Sequence, residues 1–382
     1  VIDLSLTARD TALIDMARAQ GTVARRHARH FDRSHDDMVP DELPEAKGEP
    51  DPRQLLADHA DETSGPALLD ALICLEEVWG TIPFRKSSNQ SAFLGNKLVA
   101  VLGTAEQTER WRDVSIAIAL TEPGAGSDPS RIRTTAIRDA ATGEWVMTGE
   151  KIFISLARSS DALLVFSRFM DGEEKGLGIF VVEKGVAGLT VGPQLDKLGQ
   201  RSWDTANLVF DNCRIPGHAR LAGSMKDTLA VFNKSRPLAA AIGLGFARAA
   251  LDFTRDVLVE AGLEIDYLRA AARLPSAVER FIRLEAEYEA ARLILVHAKW
   301  VEDSAAADKV EAAMTKASAG MASRHITDGC LAILGAEACS ERHLLEMWLR
   351  DARVCDIYEG PGEVNRLIIA RELLDYSAAD LA

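Results

Sequence analysis

The chain has 382 residues, 47% hydrophobic and 27% charged, the balance of a globular protein long enough for two or three domains with a sizeable core. Its 58 acidic and 44 basic side chains leave a net charge of −14 and are interspersed, which excludes the clustered Lys/Arg of a nucleic-acid footprint and attraction to an anionic membrane surface. Five cysteines (Cys74, Cys213, Cys330, Cys339, Cys355) without a C-x-x-C pair argue against a zinc knuckle or disulfide framework and favour a reducing cytoplasm. No stretch approaches about eighteen apolar residues, so no transmembrane helix is expected. "VIDLSLTARDTALIDMARAQ" lacks a basic region ahead of an unbroken apolar core, so no signal peptide is expected there.

In chain order the hydrophobic period changes twice. Residues 1–115 read as an N-terminal helical domain: in "PALLDALICLEEVWGT", Leu68, Leu69, Leu72, Ile73, Leu75 and Val78 recur at helical spacing. "PDELPEAKGEPDPRQ", with its four prolines, reads as a surface loop. Residues 116–222 carry short β-branched and aromatic runs ("EWVMTGEKIFIS", "ALLVFSRF", "GIFVVEK", "LTVGPQ", "TANLVFDNCRIP") separated by Gly, Asp and Asn, the pattern of an antiparallel sheet or barrel. Residues 223–382 return to long helices. Phe281, Leu284, Tyr288, Ala291 and Leu295 share one stripe and Met314, Ala317 and Met321 another; both read as core packing in a four-helix bundle. The fold class is therefore α+β multidomain: helical, then β, then helical bundle.

Common catalytic signatures are absent. "GLGFAR" from Gly243 lacks the third glycine of a dinucleotide fingerprint and sits in a helical pattern, so its glycines read as close helix packing. No P-loop, H-E-x-x-H or G-x-S-x-G occurs, and His27 and His30 have no further ligands at metal spacing; no metal is expected. Three segments remain. "IALTEPGAGSDPS" at 118–130 drops from an apolar run into a bare corner, which is either an ordinary turn or a place where the backbone approaches something that is not protein. "KLGQRSWDT" at 197–205 is a polar turn between strands. In "IYEGPGEVNRLIIAREL" at 357–373, Glu359 stands at a break between two helical patterns. Local sequence leaves it either a solvated loop carboxylate or a carboxylate facing a cavity and suited to proton abstraction.

"LTEPGAGSD" (120–128), "GEKIFIS" (149–155), "KLGQRSWDT" (197–205), "FNKSRP" (232–237) and "IYEGPGEVNRLIIAREL" together resemble the acyl-CoA dehydrogenases, in order and spacing, over nearly the whole chain. The resemblance implies FAD as cofactor and oxidation of an acyl-CoA thioester to a trans-2-enoyl-CoA, with electrons passing to an electron-transferring flavoprotein. It implies Glu359 as the base that removes the α-proton, since "FNKSRPLAA" has no carboxylate for the alternative placement, and Arg236 as its neighbour. Leu120, Thr121, Gly126, Ser127, Phe153, Ile154 and Ser155 would line the flavin. Phe153 stands for a more usual Trp, and the Ser155 hydroxyl would approach flavin N5. Ser127, Asn233, Ser235, Arg236, Tyr358 and Gly360 would border the substrate.

The chain also departs from that pattern. Arg-x-x-Phe-Gly is missing from "LVEAGLEIDYLRAAARL", Ala332 and Ala336 replace residues of Gln-x-x-Gly-Gly, and Pro361 replaces a threonine. Those two segments would complete the FAD site of a neighbouring subunit in a tetramer. Their loss points to a heterotetramer with an unlike acyl-CoA dehydrogenase chain. Two further readings stay open: a non-catalytic or half-site subunit, and a flavin-dependent oxidase or monooxygenase on the same fold.

Overall fold

The computed structural model describes residues 5–35, 43, 45, 49–59, 63, 65–82, 94–305, 307–376 and 380. Residues 40–42, 44 and 46–48 of the proline-rich stretch, and 60–62 and 64 beyond it, lie outside the described residues. The chain forms two compact units: residues 1–86, 197–202 and 233–382 make a helical unit, and residues 87–196 and 203–232 a β unit.

In the helical unit, α1 (Ala8–Ser34) opens with a capping box between Thr7 and Asp10 and ends where His35 turns left-handed. Proline ends the loop reading early: Asp51 caps α2 (Pro52–Asp58), with Pro52 in its first turn. α3 (Pro66–Glu77) crosses α1 so closely that a Cβ on Gly21 would lie 2.3 Å from the Glu76 carbonyl oxygen. Its first-turn amides at Ala67 and Leu68 donate to the Asp303 carboxylate. The bundle is built from α6 (Met225–Glu260), α7 (Ser276–Ser304), α8 (Lys309–Leu334), α9 (Leu345–Cys355) and α10 (Gly362–Leu373). The Phe281-to-Leu295 stripe of α7 is buried as its period requires. The second stripe departs from expectation. Met321 is 53% exposed and, with Met314 and Ala317, lines an open apolar groove of about 600 Å³ beside Leu293, Ile294 and Ile369. Gly243 and Gly245 are packing glycines: added Cβ atoms would press on Ser323 and Val78.

Among the described residues the β unit holds α4 (Leu94–Leu102), α5 (Ala105–Arg110) and seven strands: β1 (Ile116–Ala119), β2 (Thr135–Arg138), β3 (Trp145–Ser155), β4 (Ala162–Asp171), β5 (Glu174–Glu183), β6 (Leu189–Gln194) and β7 (Thr205–Ile215). The sheet is mixed rather than antiparallel. One edge of β4 takes β1 along its first half and β2 along its second, both parallel, and the other edge takes β5 antiparallel. Beyond β2 the order continues β3, β7, β6, all antiparallel. Trp145, Met147, Leu163, Val165, Phe180, Leu208 and Phe210 fill the core on one face. β1 ends opposite Val165 and β2 begins opposite Arg168, so residues 120–134 are an excursion out of the sheet between two strands on one edge. The fold thereby assigns the glycine-rich corner its place.

Candidate active site

The excursion is held from beneath by a buried ion pair. The Lys151 ammonium, unexposed on β3, donates to the Leu120 carbonyl (3.0 Å) and to Glu122 Oε1 (2.8 Å). Glu122 also accepts from the Arg133 and Thr134 amides, and its backbone pairs in both directions with Ala125. Burial pushes the Lys151 ammonium down to about 8, with Glu122 opposing. Burial alone would raise Glu122, but hydrogen bonds from Lys151 and Thr134 outweigh it and hold its pKa below the ordinary value. The Ile152 amide donates to the Thr121 carbonyl (2.9 Å). Leu120 and Thr121 are thus fixed through their carbonyls, and no described residue engages the Thr121 hydroxyl. Gly126 and Ser127 are exposed. A Cβ on Gly124 or Gly126 would meet nothing of the chain within 4 Å, so internal packing does not demand glycine at either position.

The adjoining strand is strained. β3 bulges against β7 between Lys151 and Ile154, and Phe153 sits there at φ 57 with 61% of its surface exposed. A bulky residue in the left-handed region is held there only by its surroundings. Ser155 is exposed too, whereas the Ile154 side chain lies in the core and can present only backbone to a ligand.

In the helical unit, two of the remaining motifs converge. Between α9 and α10 the chain reverses through two left-handed residues, Glu359 (φ 55) and Gly360 (φ 94). This turn brings Glu359 Oε2 within 2.8 Å of the donating Ser235 hydroxyl. Burial pushes the Glu359 carboxyl above its ordinary range; the Ser235 hydrogen bond and the charges of Lys316 and Arg236 pull against it. Arg236 is buried, donates to Asn233 Oδ1 (2.9 Å), and leaves its Nε without a partner among the described residues. Pro237 lies inside α6 and has no N–H for the Asn233 carbonyl, so that helical rung is missing beside the site. Tyr358 turns its hydroxyl to Cys355 Sγ (3.4 Å), and the Gly360 carbonyl accepts from Asn365 Nδ2 (2.8 Å).

The turn at 197–202 belongs to this unit as well. The Gln200 amide donates to the buried Asp351 carboxylate, and a Cβ on Gly199 would lie 2.2 Å from the Arg350 carbonyl oxygen. Sequence reasoning missed Lys316, Asn365 and Asp351, which hold these segments. The one signal available was a lysine and an aspartate standing on otherwise apolar helix faces.

Two family models match the chain: the C-terminal domain of acyl-CoA dehydrogenases at residues 225–374 and their middle domain at 117–213. The mitochondrial short-chain specific acyl-CoA dehydrogenase of Bos taurus is 34% identical over 298 residues, 75% of this chain and 71% of that protein. Benzylmalonyl-CoA dehydrogenase of Aromatoleum aromaticum is 32% identical over 324 residues, 81% of this chain and 83% of that protein. Butyryl-CoA dehydrogenase from Megasphaera elsdenii shares the fold with a TM-score of 0.79 at 24% identity, over 97% of this chain and 100% of that one. The chain belongs to the acyl-CoA dehydrogenase family, and is an oxidoreductase acting on CH–CH bonds. Among the described residues no helix is long and apolar enough to cross a membrane.

Proposed function

We propose that this chain oxidises the Cα–Cβ bond of an acyl-CoA thioester to the trans-2-enoyl-CoA, with Glu359 as the base. The observation that carries the reading is the left-handed turn that presents a desolvated carboxylate to Ser235 and Arg236. An α-proton beside a thioester is a weak acid, so the base must work together with donors that favour the developing enolate oxygen. The backbone N–H of Glu359 is the donor this chain offers there. Ser235 holds the carboxylate by its hydroxyl, and Asn233, Arg236 and Tyr358 border the substrate.

FAD is the cofactor; when bound, it accepts the β-hydrogen as hydride. The chain's own features suit it. The exposed Phe153 ring offers a flat apolar surface, the Thr121 hydroxyl a hydrogen-bonding group, and Gly124 and Gly126 a backbone open to close approach. The Lys151–Glu122 pair fixes Leu120 and Thr121 in advance. An electron-transferring flavoprotein takes the electrons onward. The protein works as a tetramer with an unlike chain of the same family, which supplies the ADP-contacting residues that Ala332, Ala336 and the 258–274 segment lack.

The test is a visible spectrum of the desalted protein, alone and with candidate unlike chains, followed by addition of acyl-CoA. Flavin that bleaches with the native chain and is retained but not bleached in Glu359→Gln is expected. A Glu359→Gln protein that bleaches at the native rate overturns the assignment of the base, and stoichiometric FAD on the chain alone overturns the unlike partner.

A further inference from the structure

Lys316 takes no part in the reaction proposed above, yet it buries an ammonium close to Glu359. It stands two turns into α8 in the Ala-rich "TKASAG" stretch, with no exposed surface. A lysine there must desolvate an ammonium, which a fold tolerates only where the donors are satisfied. Its Nζ donates to the Cys355 carbonyl (2.7 Å) and to the Gly360 carbonyl (3.4 Å). These carbonyls lie four residues before Glu359 and one after it, so a single cation bridges the two ends of the turn that carries the carboxylate.

The charges around this cation leave it unneutralised by a direct salt bridge. From the end of α9, Asp356 is taken by Arg324 (2.8 Å) and Arg353 (3.7 Å), and Cys355 faces it as a thiol. Tyr358 lies with its ring 5.7 Å from the ammonium. From α6, Arg236 adds positive charge and is itself bonded to Asn233. Glu359 is coupled to Lys316 through space and, among the described residues, its carboxylate is hydrogen-bonded to Ser235.

We propose that Lys316 is a positioning residue for Glu359: it ties the Cys355 and Gly360 carbonyls so that the left-handed turn persists, and it sets a positive charge near the carboxylate. The inference rests on the proposed role of Glu359 for its consequence in catalysis, though not for its measurement. Burial raises the Glu359 carboxyl while Ser235, Lys316 and Arg236 lower it. Removing the Lys316 charge therefore raises it further, and the ionised fraction at a given pH falls. Asn365, which donates to the same Gly360 carbonyl, limits how far the turn can relax.

The experiment labels the full-length protein with a water-soluble carbodiimide and an amine across the acid-to-neutral range, and reads Glu359 modification by peptide mass spectrometry. Reaction follows the protonated carboxyl, so its midpoint reports the acidity of Glu359 whether or not Glu359 is the base. Lys316→Met removes both tether and charge; Lys316→Gln keeps a donor for the Cys355 carbonyl and removes only the charge. Both should move the labelling midpoint up by about one to two pH units. In flavin-loaded protein, the Gln variant should regain acyl-CoA oxidation at alkaline pH while the Met variant stays impaired at every pH.

An unmoved midpoint in the folded variants overturns the proposal. So does loss of the folded state in both, seen by circular dichroism, since it assigns Lys316 to stability alone. Wild-type activity in Glu359→Gln would remove the base assignment and leave the labelling result standing.

Discussion

Replacing Lys151 by Met tests whether the glycine-rich excursion is held in place from below. The ammonium is unexposed, and the Glu122 carboxylate it meets is 5% exposed. Met matches the stem in volume but leaves Glu122 buried with only the Arg133 and Thr134 amides as partners. Breaking a buried pair by removing one member costs about 3–5 kcal/mol, because the remaining charge is desolvated without its counter-charge. Lys151→Met/Glu122→Gln should recover part of that loss, ending within roughly 1–3 kcal/mol of the native protein: the amide carries no charge, but its single oxygen serves only one of two backbone donors that now bind different carboxylate oxygens. Urea unfolding followed by circular dichroism measures all three proteins. FAD binding to the apoprotein gives a second readout: the single variant should bind about tenfold or more weakly, as the Leu120 carbonyl loses its tether. A single variant within about 1 kcal/mol of native, or a double variant no better than the single, would refute the reasoning.

Three further outcomes follow from the geometry. Ser235→Ala removes the hydrogen bond that the Glu359 carboxylate accepts from the Ser235 hydroxyl, so the acid limb of the kcat/KM profile should move to higher pH by roughly one unit; an unmoved limb would mean that solvent replaces the hydroxyl fully. Burial pushes the Asp351 carboxyl up to about 7 from 3.8, so the folded state holds that proton more tightly than the unfolded chain. Its stability contribution is complete below pH 3.8 and is lost as pH rises through about 7. Asp351→Asn should therefore gain on the native protein by up to about 4 kcal/mol between pH 4 and 8 in denaturant titrations, and a difference independent of pH would contradict the burial argument. Gly199→Ala forces a Cβ against the Arg350 carbonyl and should cost about 1–3 kcal/mol with loss of the Gln200–Asp351 contact; unaltered stability, with amide exchange at Gln200 as slow as in the native chain, would show that the loop gives way freely.

Period and punctuation in the sequence were enough for five of the seven strands, the Phe281 stripe and the packing role of Gly243 and Gly245, because each is set by local alternation or by a residue that only close packing favours. They also singled out the segments at 118–130, 197–205 and 357–373, whereas "FNKSRP", with Asn233, Ser235 and Arg236, entered only with the family resemblance. β2 was missed because four residues carry too little periodicity to stand out, and the parallel pairing of β1 and β2 with β4 was missed because pairing depends on contacts remote in sequence. The Met314 stripe misled, since helical spacing states which residues share a face and not what covers that face.

What the sequence by itself determined is the inventory: an acidic helical-β-helical chain with a bare corner, a polar turn and a glutamate at a helix break. Tertiary structure alone decided that the corner is an excursion between β1 and β2, that residues 197–202 join the helical unit, and that Ser235 and Lys316 meet the Glu359 turn from two different helices. The physical reason is that a buried charge must find its partners wherever the packed chain brings them, and those partners stand 124 and 44 residues apart in the sequence for the Ser235–Glu359 and Lys316–Gly360 contacts.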